Sequence, residues 1–103
     1  MKKVLYFTFS FIDKPFPSRE LTFRKEVTEI IPIGTKYLPF GNELRAGAIV
    51  PGYVVDESLN EFVMLAVFQM PFEKYSSEEG EYIRKNMKEH GWLIFRDNID
   101  KLD

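Results

Sequence analysis

Residues 4–12 alternate strictly: Leu5, Phe7, Phe9 and Phe11 fall on one side, Val4, Tyr6, Thr8, Ser10 and Ile12 on the other. A period of two with this composition predicts a β-strand with one fully apolar face and one mixed face. Lys14 to Ser18 then reads as a proline-stiffened connection. Residues 19–31 admit two readings. As a strand, Leu21, Phe23, Val27 and Ile31 share a face that Lys25 and Glu29 interrupt. As a helix, Ser18 caps the start, Phe23, Val27, Ile30 and Ile31 line a stripe, and Pro32 stops it. Thr22, Val27, Thr28, Ile30 and Ile31 are weak helix formers, which tips the balance to strand.

Residues 32–47 hold turn chemistry in Pro32, Gly34, Pro39, Gly41, Asn42 and Gly47, with a short strand from Thr35 to Leu38 inside. Residues 48–55 are strand-like, with a bend or bulge at Pro51-Gly52. Asp56 to Glu61 makes a polar hairpin loop. Phe62 to Phe68 is apolar on both sides, the pattern of a central strand covered on each face. Ser76-x-x-Glu79, or Ser77, opens a helix. Glutamates crowd its first turns, Arg84, Lys85 and Lys88 lie nearer its end, and Gly91 provides a left-handed exit. Trp92 to Phe95 forms a last strand, apolar on both faces.

These elements predict an α+β fold, a mostly antiparallel β-sheet with one helix at about 76–90 packed on it. Residues 1–103 form a single small domain, with 97–103 as a frayed acidic end. The alternative, if 19–31 is helical, is the ferredoxin-like order β-α-β-β-α-β.

Composition changes this picture in three ways. Aromatic residues make up 16% of the chain, including 10 Phe, so rings either fill a small β-rich core or form a binding surface. The chain has no cysteine, which excludes disulfides, thiolate metal sites and thiol nucleophiles and agrees with a cytoplasmic location. The net charge of −2 is uneven: residues 1–51 carry 8 basic and 5 acidic side chains, residues 52–103 carry 6 and 11. The start, Met1-Lys2-Lys3 before an apolar run, resembles a signal peptide only superficially, because the run alternates and no small-residue cleavage site follows. No run is long enough to span a membrane.

No residue pattern carries a recognisable catalytic or cofactor chemistry. His90 is the lone histidine, too few for a multi-histidine metal site, and no serine sits in a nucleophile-elbow pattern. The carboxylates do not follow calcium-loop spacing, and the scattered glycines form no phosphate loop. What remains are three Pro-Phe pairs, Pro15-Phe16, Pro39-Phe40 and Pro71-Phe72. Each sets a large ring beside an irregular segment.

The leading expectation is therefore a small non-catalytic binding protein with no cofactor, acting through protein–protein contacts. An adaptor, an inhibitor or an accessory protein of a phage or mobile element would fit. The contact residues would be Phe16, Tyr37, Phe40, Phe72 and Tyr75, since large rings in desolvated patches dominate interface energies. Homodimerisation through an exposed strand edge is a close variant. A second class is a small-molecule binder or enzyme with a pocket between sheet and helix, using Tyr6, Ser10, His90 and Arg96. A third is a single-stranded nucleic-acid binder using Arg19, Arg24, Lys25, Lys36 and Arg45. The acidic balance of the chain weighs against that third class.

Overall fold

The computed structural model of the protein describes residues 1–12, 19–37, 39, 48–71 and 76–98. The strands are β1 (Lys2–Ile12), β2 (Arg19–Val27), β3 (Lys36–Tyr37), β4 (Ala48–Ile49), β5 (Gly52–Asp56), β6 (Glu61–Pro71) and β7 (Leu93–Asp97), with one helix, α1 (Ser77–Glu89), between β6 and β7. Five strands form the main sheet in the order β5-β6-β1-β2-β7, and β3 and β4 form a separate two-stranded ribbon. Three of the four pairings in the main sheet are antiparallel; β1 and β6 run parallel. The architecture is α+β, as the sequence pattern predicts.

Residues 19–27 are a strand, so the ferredoxin-like alternative does not form. The reason is tertiary. Phe7 pairs with Phe23 and Phe9 with Leu21, and all four side chains are fully buried. A helix over these residues would have given up that continuous apolar ladder.

The core lies on one face of the sheet. Leu5, Phe7, Phe9 and Phe11 of β1 meet Leu21 and Phe23 of β2 and Met64 and Ala66 of β6, covered by Ile83 and Met87 of α1, Trp92 and Val50. Aromatic contacts tie this layer together: Phe7 to Phe9 at 5.1 Å, Phe7 to Trp92 at 6.3 Å, and Phe9 edge-on to Phe23 at 6.1 Å. Most of the described rings are thus core rings.

Helix α1 begins and ends as its sequence dictates. The Ser76 side chain accepts a hydrogen bond from the Glu79 N–H at 3.2 Å. At the far end Gly91 takes φ +85, its N–H donates to the Lys88 carbonyl, and the Trp92 N–H donates to the Met87 carbonyl. This pair of bonds is the Schellman closure, which turns the chain back so that Trp92 enters the core. There the Trp92 indole N–H donates to the Pro39 carbonyl at 3.1 Å. Removing the cap with Ser76→Ala is expected to lower stability by about 1 kcal/mol in urea unfolding, with the fold intact.

β6 departs from expectation. It is the second strand from an edge, and β1 holds the centre. Its Met64 and Ala66 face the core, but Val67 on the other side is exposed. The apolar pattern on both faces of Phe62 to Phe68 therefore does not report cover on both faces.

Candidate functional site

The sheet has a second face, on which no described helix or strand packs. Period two places Tyr6, Thr8 and Ser10 of β1 there, with Glu20, Thr22 and Arg24 of β2 and Glu61, Val63, Leu65 and Val67 of β6. A polar bridge crosses it. Arg24 donates to the Tyr6 hydroxyl oxygen at 3.0 Å and to both carboxylate oxygens of Glu61, to Oε1 at 3.2 Å. Arg24 stands on β2 and Glu61 on β6, so their side chains must pass over β1 between them. The residue beneath is Val4, which is fully buried although it lies on this uncovered face. The Glu61 carboxylate also holds the Arg24 guanidinium even more firmly protonated than usual, chiefly through its hydrogen bonds. The pair is a structural strap whose donors and acceptors already satisfy one another.

β7 is one edge of the sheet. Its Leu93 pairs with Arg24, Ile94 with Phe23 and Arg96 with Thr22, with a register shift that leaves Phe95 as the extra, bulged residue. Leu93 therefore shares the uncovered face and Ile94 the helix side. The bulge sends the Phe95 ring toward Tyr6, 4.9 Å away on the uncovered face. These three consecutive apolar residues are 69%, 54% and 54% exposed. Surface apolar side chains scattered singly are ordinary, but three in a row on a strand edge that no described strand pairs with are not.

Beside β7, on the helix side, runs an open groove of about 570 Å³ lined by Glu81, Arg84, Lys85, Lys88, Trp92, Leu93 and Ile94. Arg84 makes a two-pronged pair with Asp97 at 2.9 and 3.0 Å, which ties α1 to the end of β7. Glu81, Lys85 and Lys88 make no ion pair or side-chain hydrogen bond among the described residues.

The residues singled out from sequence are distributed as follows. Phe16, Phe40, Phe72 and Tyr75 lie outside the described residues. Ile12 and Pro71, the last described residues before Phe16 and Phe72, are register partners at one end of the sheet. Tyr37 is half-buried, 6.4 Å from Phe7 and 6.1 Å from Trp92, and burial raises its hydroxyl pKa. It packs at the margin of the core. Tyr6, Ser10 and Arg96 stand on the uncovered face, whereas His90 caps α1 on the opposite side, where its carbonyl accepts from Lys25 Nζ at 2.9 Å. The structure thus does not gather these four into a pocket between sheet and helix. Among the basic residues, Arg24 is held by Glu61, Lys25 stands on the helix side over Trp92, Lys36 lies in the separate ribbon, Arg19 starts β2, and Arg45 is outside the described residues. Arg19, Arg24, Lys25 and Lys36 do not make one basic face.

Sequence reasoning missed Leu93, Ile94 and Phe95 as surface residues. Their pattern, apolar on both sides, is equally that of a buried strand, and only the sheet order reveals an edge. Among the described residues there is no cluster of three or more metal-ligating side chains and no helix long and apolar enough to cross a membrane. Comparison with protein-family models, curated protein sequences and solved structures gives no match.

Proposed function

We propose that this chain is a small non-catalytic binding protein that works through protein contact, and that its binding surface is the β7 edge with the side chains flanking it. The observation that carries the reading is the run Leu93-Ile94-Phe95, exposed on both faces of a strand whose outer edge pairs with no described strand. An added strand supplies backbone hydrogen bonds along such an edge, and the alternating side chains supply selectivity. The uncovered face contributes Tyr6 beside Phe95 and, further across, Val67 and Val54.

The test is capture of partners by tagged protein from nuclease-treated lysate that also contains an untagged copy. It is run with wild type and with Phe95→Ser. A protein retained near stoichiometrically by wild type and lost from the variant, with the variant still folded by circular dichroism, is the expected result. Equal retention by both would remove β7 from the binding surface.

A further inference from the structure

We infer that the β7 edge, read above as a protein-binding surface, receives a second copy of this chain, strand against antiparallel strand about a two-fold axis. This rests on that reading and names its occupant. The argument begins with which edge is available. The main sheet has two edges, β5 and β7. β5 follows directly on Pro51, a residue that blocks pairing. Neither β5, Gly-Tyr-Val-Val-Asp, nor β7, Leu-Ile-Phe-Arg-Asp, contains proline or lysine, but β5 exposes two consecutive apolar side chains, Val54 and Val55, and β7 three larger ones, Leu93, Ile94 and Phe95.

The charges beside β7 then select the occupant. The groove-facing stripe of α1 carries Glu81 near one end and Lys88 near the other, seven residues apart on one helix face. Neither has an ionic partner among the described residues. A two-fold axis through the paired β7 edges sets the two α1 helices antiparallel on the same side of the joined sheet. In an isologous contact, a residue that meets a second is met by it in return. With the axis passing between Arg84 and Lys85, Glu81 faces Lys88 of the second copy, and Lys88 faces its Glu81. At the centre of the stripe Arg84 is already neutralised by Asp97, and Lys85 meets its own copy near the axis, one like-charge contact against the two opposite-charge pairs. Adjacent strands lie about 4.8 Å apart, so helices standing over neighbouring strands face each other across roughly 10–15 Å, a gap that long charged side chains span. The bulge at Phe95 and the charge of Arg96 keep the paired segment short. The helix charges would then fix its register and direction. Leu93 and Phe95 are covered on one face of the seam and Ile94 on the other.

The experiment is sedimentation equilibrium on the full chain and on Glu81→Lys, Lys88→Glu and the double exchange. Wild type should be dimeric. Each single exchange sets two like-charge pairs across the seam and should raise the dissociation constant about ten-fold. The double exchange should restore dimerisation. An equimolar mixture of the two single variants should form a heterodimer, because one then presents only positive and the other only negative charge at these positions. A monomeric wild type, or a dimer indifferent to all of these changes, would overturn the inference. If wild type is monomeric yet a different captured protein is lost from Phe95→Ser, only the occupant is wrong; if that loss is also absent, the binding reading itself falls.

Discussion

Phe7→Ala is expected to cost about 3–5 kcal/mol, the range for emptying a fully buried aromatic site. Phe7 stands on the central strand, paired with Phe23 on one side and Ala66 on the other. Its ring lies within 5.1 Å of Phe9 and near Tyr37 and Trp92, so its loss loosens β1, the Trp92 anchor and the ribbon margin together. The small Ala66 opposite cannot fill the space. A domain of this size is typically stable by only about 5–15 kcal/mol, so the variant should be largely unfolded well below the wild-type melting temperature. Urea unfolding followed by circular dichroism measures it. A loss under about 1 kcal/mol would mean that the packing of β1 against Trp92 is not as described.

Arg24→Ala is the second large effect, at about 3 kcal/mol. Its partner Glu61 has a side chain only 6% exposed, against 24% for Arg24. Removing the arginine leaves a buried carboxylate without its cation and uncovers Val4. Removing the glutamate leaves a more exposed guanidinium that keeps the Tyr6 hydroxyl, so Glu61→Gln should cost less. The apolar pair Arg24→Met with Glu61→Leu should recover most of the loss, because no buried charge then remains unpaired. Urea midpoints of the four proteins decide the matter. Equal losses for the two single changes, with no recovery in the pair, would show that the strap does not act as a unit.

What was legible in the sequence was local. The alternation of residues 4–12 marks β1 because its apolar side is a core face along its whole length. The helix is equally plain, since Ser76, its glutamates, its lysines and Gly91 each act within one turn of a helix end. Sheet order is another matter. β1 lies between β2, a sequence neighbour, and β6, about 60 residues away. No periodicity in either strand records that pairing. The same holds for the strap: Tyr6, Arg24 and Glu61 are far apart in sequence and meet only through the sheet. The apolar patterns of Phe62 to Phe68 and of Trp92 to Phe95 predict strands, and β6 and, from Leu93 on, β7 form there, but pattern alone cannot separate a strand covered on both faces from one with an exposed face. Of the rings expected to bind, Tyr37 joins the core margin and the other four lie outside the described residues; the exposed rings among the described residues are Phe95 of β7 and Tyr82 of α1.

The proposed contact between two copies at the β7 edge would bury the outer amides of that strand. Amide hydrogen exchange along β7 and β5, measured on dilute and on concentrated protein, tests it most directly. Protection of the Leu93–Asp97 amides should rise with concentration while that of Gly52–Asp56 stays constant. β7 exchange that is the same at both concentrations, or protection that builds at β5 instead, would contradict pairing through β7.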